Sequence, residues 1–225
     1  MLLPSIGWGQ ETDMESRFKE IDQAIKESPQ YVAQREAKIA VARRTFEQSS
    51  GHQKYEEGYR LFELYRPFVS DSAIYFLHQC IDLAEQSGDR SAAVQCRAQL
   101  AIRCTNIGLY DEALNILDSI QLTGKEEELA LGTYYEAYNN VYSELSYYTR
   151  LEDMRHMYQA QEKRYAQLMF AHLPPTSETC FLRREQIAQN EGDLQESMRI
   201  NDEWLRTVEP GSHPYAMVAL YRYIE

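Results

Sequence analysis

The chain has 225 residues, of which 44% are hydrophobic, so it is long enough to bury a core as one domain or as a run of small stacked units. Its 35 acidic residues outnumber 23 basic ones, and the formal charge of -12 would repel nucleic acid and anionic lipid headgroups. No stretch approaches the roughly 18 to 20 consecutive apolar residues of a membrane-spanning helix. We therefore expect neither nucleic-acid binding nor membrane insertion by this segment.

Residues 1–11 share some features with a signal peptide. In "MLLPSIGWGQ", Gly7 and Gly9 flank Trp8 as small residues flank a cleavage site, and Leu2 and Leu3 could end an apolar region. The basic start and most of the apolar run of a working signal are missing. A truncated signal and a disordered terminus therefore both stay open.

Residues 12–50 are predicted to form a pair of helices. Thr12 and Glu15 have the spacing of a capping box, which marks the start of a helix. Pro29 interrupts the segment, because a proline inside a helix removes a backbone hydrogen bond and clashes with the preceding turn. We expect two helices between about Met14 and Gln48.

Residues 51–225 have the periodicity of helix hairpins, and the pattern is clearest around Gly108. Apolar residues recur at helical spacing before this glycine and again after it, in "NIGLYDEALNILDSI". Only Gly108 and Leu109 separate the two helices, so these must fold back as an antiparallel pair. Gly108 can adopt the left-handed conformation that often ends a helix, Tyr110 packs back over the turn, and Ala113 lets the two helix axes approach closely.

The same unit recurs along the chain. Positions comparable to Ala113 are found at Ala73, Met154 and Ser197, in steps of 40, 41 and 43 residues. Turn residues at 87–89, 122–125, 173–175 and 209–214 divide the segment, and Thr123 with Glu126 forms a second capping box. No segment has the alternation of a strand. The sequence predicts an all-α fold with four hairpins and the first helix of a fifth.

The spacing of Gly108, Tyr110 and Ala113 resembles the second half of a tetratricopeptide repeat. Two positions depart from the family pattern, because Arg97 and Cys104 stand where the family has bulky and aromatic residues. The resemblance covers roughly residues 52 to 225. It implies a superhelix of stacked antiparallel hairpins and a role in protein or peptide binding, but no activity.

The segment "YRLFELYRPFVSDSAIYFLHQCIDLAEQSGD" extends this resemblance. It looks like the start of tetratricopeptide sensor proteins of Bacteroides-like bacteria, in which the repeats are exported and a membrane helix and an output region follow. The resemblance implies that the chain is the sensor part of a longer signalling protein. It also implies a periplasmic or otherwise extracytoplasmic location, with a cytoplasmic location as the alternative.

Residues with the spacing of a metal or catalytic site are missing. The five histidines show no H-E-x-x-H spacing, there is no C-x-x-C pair, and no glycine-rich phosphate loop or G-x-S-x-G elbow occurs. We expect no metal, no cofactor and no catalytic residue. The four cysteines are predicted to be small buried hydrophobic residues of a helical core, at Cys80, Cys96, Cys104 and Cys180.

Six of the 17 tyrosines lie in "YYEAYNNVYSELSYY", where Tyr134, Tyr138 and Tyr142 recur every four residues. Packing between neighbouring helices explains this spacing. The alternative is an exposed aromatic wall for an extended or helical peptide, since tyrosine offers a large contact area at a low entropic cost.

The family resemblance also places a binding surface, because the first helix of each hairpin lines the concave face of a tetratricopeptide superhelix. The residues projected onto that face are Tyr55, Tyr59, Arg66, Gln95, Gln99, Asn106, Asn139, Ser143 and Gln186. The family's clamp for a terminal carboxylate is missing, since Ala98 and Leu182 stand at the corresponding positions. Joint replacement of Gln99, Asn106 and Asn139 by alanine is predicted to weaken binding with little loss of stability.

We therefore expect a non-enzymatic module that binds a protein or peptide, as the sensor or scaffold of a longer signalling protein. A cytoplasmic peptide-binding adaptor is the alternative within the same class. An enzyme with a hidden site in a helical bundle is the alternative from another class, and self-association stays open. A cluster of exposed, perturbed carboxylates and histidines would favour the enzyme, and a groove of amides and tyrosines would favour binding.

Overall fold

The computed structural model describes residues 8–67, 69–210 and 212–224. Within these residues it contains helices and no strand, which confirms the all-α fold class. In chain order the helices are α1 (Trp8–Gln48), α2 (Gly51–Tyr65), α3 (Ser70–Ser87), α4 (Arg90–Asn106), α5 (Tyr110–Asp118), α6 (Glu128–Tyr148), α7 (Glu152–His172), α8 (Glu178–Glu191), α9 (Leu194–Leu205) and α10 (His213–Ile224). No helix among the described residues has both the length and the apolar character that a bilayer crossing requires.

The helices pack as stacked hairpins. The pairs α2 with α3, α4 with α5, α6 with α7 and α8 with α9 each pack side by side, and α10 lies against α9. Helix α4 also contacts α3 and α6, so one hairpin covers the next. The largest apolar cluster contains residues of α1, α2, α3 and α4, and a second contains residues of α4, α5 and α6. Each hairpin thus buries a face that it could not bury alone.

The helix pair predicted for residues 12–50 is a single helix. Helix α1 begins at Trp8, so Thr12 does not cap a helix, and Pro29 lies inside the helix. A proline removes only one backbone hydrogen bond, and Pro29 is exposed, so water can satisfy the carbonyl that loses its partner. The C-terminal part of α1 is held by buried Ile39, Ala42 and Phe46. Residues 1–7 of the signal-like terminus lie outside the described residues.

The turn at Gly108 has the predicted geometry. Gly108 has a φ of 83°, and the N–H of Leu109 donates to the carbonyl of Cys104 at 2.9 Å, which closes the end of α4. The same glycine turn ends α3 and α8. Ala113 is fully buried, as are Ala73 and Ser197 at the comparable positions. Met154 is only half-buried, so the third hairpin departs from the pattern.

The pair Thr123 and Glu126 forms a loop rather than a helix cap. Helix α6 begins at Glu128, and the Glu126 carboxylate instead accepts hydrogen bonds from the Thr123 hydroxyl at 2.7 Å and from the backbone N–H groups of residues 123–125. These hydrogen bonds, with that of the Thr123 hydroxyl first, lower the pKa of Glu126 to about 2. The Glu126 carboxylate therefore stabilises the conformation of the loop at residues 123–126 by these hydrogen bonds.

The tyrosine run of α6 packs between helices, as the first interpretation predicts. Tyr138 is buried and stacks on Tyr165 of α7, with ring centroids 4.5 Å apart and an interplanar angle of 8°. Tyr142 stacks on the same Tyr165 at 5.7 Å. Only the last two members of the run, Tyr147 and Tyr148, are strongly exposed. The aromatic wall is thus mainly a contact between α6 and α7.

All four cysteines are buried and reduced, as predicted. We expect thiol reagents to modify them slowly in the native chain and rapidly in denaturant, because burial limits access and raises the pKa of Cys104 and Cys180. Labelling followed by mass spectrometry measures this, with a Gln53→Cys variant as the exposed reference. Native labelling of Cys80, Cys96 and Cys104 as fast as that of position 53 would contradict their place in the core.

Candidate functional site

A polar cavity of about 340 Å³ lies between the first helices of successive hairpins, and we call it the inner cavity. Residues of α4, α6 and α8 form most of its wall, with Arg66 from the end of α2 and Met169 from α7. Its charged residues are Arg66, Arg103, Arg183, Glu136, Glu144 and Glu178, and Ile102, Met169 and Leu182 add apolar surface. Amides and hydroxyls complete the wall at Thr105, Asn106, Asn139, Asn140, Ser143, Thr179 and Gln186.

The structure brings five of the nine predicted binding residues together here. These are Arg66, Asn106, Asn139, Ser143 and Gln186. The other four, Tyr55, Tyr59, Gln95 and Gln99, do not line the inner cavity.

Three of those four are used in the contact between α2 and α4. Gln95 Nε2 donates a hydrogen bond to the hydroxyl of Tyr59 at 3.2 Å. The hydroxyl of Tyr55 lies 3.6 Å from the sulfur of Cys96, and its ring packs against the first apolar cluster. These side chains hold two neighbouring hairpins together, so their role is in packing.

Asn139 lines the cavity but is not free to bind. Its side chain is 1% exposed, and its Nδ2 donates a hydrogen bond to the backbone carbonyl of Glu162 on α7 at 2.8 Å. The prediction of little loss of stability assumes that Asn139 is exposed, and that assumption is wrong. The buried amide ties α6 to α7, and alanine would leave that carbonyl without its partner.

Glu136 is the carboxylate with the most perturbed environment in the cavity. It is half-buried on α6 and accepts a hydrogen bond from the hydroxyl of Thr179 on α8 at 3.1 Å. Burial raises its pKa to about 7, against the opposing effects of the Thr179 hydrogen bond and of Arg66 and Arg103. Sequence reasoning missed Glu136, because one carboxylate among 35 acidic residues has no distinguishing pattern.

Arg103, in the last turn of α4, was also missed. Its Nε is buried and has no acceptor, and burial lowers the pKa of the guanidinium. The Asn106 amide is oriented so that both of its polar atoms form hydrogen bonds. Its oxygen accepts from Arg103 Nη2 at 3.0 Å, and its nitrogen donates to the carbonyl of Ile102 at 3.2 Å. Asn106 therefore positions Arg103 on the cavity wall.

Arg183 on α8 forms the opposite part of the wall and is held by a buried ion pair with Glu162 of α7. It also donates from Nη1 to Oε1 of Gln186 at 2.7 Å. Only 11% of the Arg183 side chain and 14% of the Glu162 side chain are exposed. This pair connects the third hairpin to the fourth and makes the wall rigid.

A second hollow continues from the inner cavity towards the ends of α6 and α7. The two share Ser143, Glu144 and Gln186, and the exposed rings of Tyr147 and Tyr148 line the second. We call the inner cavity and this hollow together the inner groove. It combines a charged interior with an exposed aromatic rim, which suits reversible binding of a polar ligand or an extended segment.

The titratable groups around the inner cavity determine whether it could support acid–base chemistry. One carboxylate with a strongly raised pKa, Glu136, lies there, and none of the described residues that line this cavity is histidine or cysteine. Among the described residues, no group of three or more histidine, cysteine, aspartate and glutamate side chains is arranged to hold a metal ion. An acid–base pair for catalysis would need a second titratable group matched to Glu136.

Comparison with protein families identifies the fold directly. The model of the SusR N-terminal TPR domain matches residues 25–224, nearly the whole chain. The chain therefore belongs to this tetratricopeptide family, which confirms the resemblance inferred from the sequence. No curated protein and no solved structure matches the chain significantly.

Proposed function

We propose that this SusR N-terminal TPR-domain chain is a non-enzymatic module that binds a segment of a partner protein or peptide in the inner groove. The family supports this in general terms, because tetratricopeptide repeats are protein-interaction modules. The inner groove supports it in particular, since it joins amides and charged groups to two exposed tyrosines. Such a surface provides hydrogen bonds for backbone groups and aromatic contact area.

We further propose that the module is the sensor or scaffold part of a longer signalling protein and acts outside the cytoplasm. The resemblance to exported tetratricopeptide sensors supports this location. The cytoplasmic adaptor is the alternative, and protease treatment of spheroplasts distinguishes them: an extracytoplasmic module is cleaved in intact spheroplasts, and a cytoplasmic one is protected.

The enzyme hypothesis has one observation in its favour, the raised pKa of Glu136. A carboxyl group with a pKa near 7 suits proton transfer. It would need a second group to complete an acid–base pair, and the cavity's charged residues are otherwise arginines and the glutamates Glu144 and Glu178. Binding is therefore the function that the geometry supports best.

The test uses a partner isolated with the intact chain and titrated calorimetrically against variants. We expect joint replacement of Asn140, Gln186 and Asn190 by alanine to weaken binding by about tenfold or more, because these amides line the inner groove. Asn106 is left unchanged because it accepts a hydrogen bond from Arg103. Asn139 is left unchanged because it holds α6 to α7.

The matched control replaces three exposed amides outside the inner groove, Gln53, Asn115 and Gln121. This variant should bind as the unchanged chain does. Equal affinities for both triple variants would place the partner on another surface, and thermal denaturation of each variant verifies that the fold is intact.

A further inference from the structure

Arg103 and Glu136 line the same inner cavity with opposite charges and do not form an ion pair. Each acts on the charge of the other, since Glu136 favours the ionised form of Arg103 and Arg103 favours that of Glu136. The other two arginines of the cavity already have carboxylate partners. Arg66 lies 3.4 Å from Glu63, and Arg183 pairs with Glu162.

The protein satisfies the charged groups of Arg103 and Glu136 poorly. The buried Nε of Arg103 has no acceptor, although an unpaired buried donor destabilises a fold. Burial disfavours the ionised form of Glu136, and the Thr179 hydroxyl is the hydrogen-bond donor that reaches its carboxylate. A ligand with one negative and one positive group would satisfy both residues at once.

We propose that the inner cavity binds a free amino acid, whose carboxylate is held by Arg103 and whose ammonium group is held by Glu136. Its volume of about 340 Å³ lies at the small end of the range of about 300–1,000 Å³ for ligand cavities. Ile102, Met169 and Leu182 provide apolar contact for a side chain. Arginine suits the carboxylate, because its guanidinium matches that planar group with parallel hydrogen bonds.

This inference goes beyond the proposed partner binding and does not depend on it. It gives the module a small effector in the charged interior of the inner groove, whereas the amide and tyrosine groups of the groove remain available to a partner segment. Failure of one proposal therefore leaves the other intact, because the two tests use different ligands and different variants.

The first measurement screens the twenty common L-amino acids singly, each at about 10 mM, for a rise in the unfolding temperature of the intact chain. The amino acid with the largest rise is then titrated by calorimetry. Its N-acetyl derivative lacks the positive charge and its amide lacks the negative charge. We expect each derivative to bind at least about tenfold more weakly than the parent, since each loses one charge-assisted contact.

Variants locate the site. Arg103→Gln and Glu136→Gln should each reduce affinity at least about tenfold, whereas Glu191→Gln, an exposed change on α8 outside the cavity, should leave it within about twofold. Arg103→Lys retains the charge and should fall between the unchanged chain and Arg103→Gln. It also serves as the arginine variant if glutamine at this position prevents folding.

Three results would overturn the proposal: no amino acid in the panel binds, the two derivatives bind as tightly as the parent, or Arg103→Gln and Glu136→Gln bind as the unchanged chain does. The first excludes a free amino acid, the second excludes recognition of both charges, and the third places the ligand elsewhere.

Discussion

Replacing Glu162 by alanine is expected to lower the free energy of unfolding by about 3 to 5 kcal/mol. The substitution leaves the guanidinium of Arg183 buried without its carboxylate, and an uncompensated buried charge is strongly destabilising. The backbone contact of Glu162 with Asn139 is unaffected, because it uses the carbonyl of residue 162. Urea denaturation at neutral pH, followed by circular dichroism, measures the change.

Two further variants separate the buried charge from other effects. Glu203→Ala breaks the contacts of a half-buried but more accessible carboxylate with Arg184 and Arg199, each at 3.3 Å, and should cost about 1 kcal/mol or less. The double variant Glu162→Met with Arg183→Met removes both buried charges and should recover much of the lost stability. If Glu162→Ala costs no more than Glu203→Ala, the pair does not join the third and fourth hairpins as the structure indicates.

The hairpin of α4 and α5 could be predicted from sequence because its determinants are local. A glycine with positive φ ends one helix, and a small residue five positions later permits close packing of the next. Both requirements act between residues that are close in sequence, so neither depends on which other helices are present. The all-α fold and the family followed from repetition of this unit.

Helix α1 shows where a local rule fails. Pro29 weakens a helix by an amount that a long, continuous helix can accommodate, and the sequence does not show whether the residues on both sides are held in one helix. Here Ile39, Ala42 and Phe46 fix the C-terminal part against the first hairpin. Helical hydrogen bonding extends from there through the proline.

Only five of the nine predicted binding residues line the inner cavity, for a related reason. Helical periodicity places Asn106 and Gln186 on the correct side of their helices, but periodicity says nothing about depth. Asn139 has the same periodicity and is buried against the backbone of α7. The proximity of Arg103 and Glu136 is set by the packing of α4 on α6, a contact between hairpins that no local pattern encodes.

The second prediction with a large expected effect concerns the pH dependence of stability. Glu136→Gln is expected to stabilise the chain at pH 8 by about 1 to 3 kcal/mol and to leave its stability nearly unchanged near pH 4. Burial raises the pKa of Glu136 from 4.5 to about 7, so between these values the folded state binds more protons than the unfolded state. The free energy of unfolding of the unchanged chain therefore falls as pH rises through this range.

Glutamine tests this cause directly, because its amide oxygen can still accept the hydrogen bond of Thr179 while the side chain carries no charge. Glu191→Gln is the matched control, since it removes one negative charge at an exposed position outside the cavity and reports the effect of the net charge of -12 alone. A gain at pH 8 that is equal in both variants would show that net charge, and not the burial of Glu136, is responsible. A gain confined to Glu136→Gln would mean that the chain retains a carboxylate at a cost in stability, which is typical of residues that serve binding rather than folding.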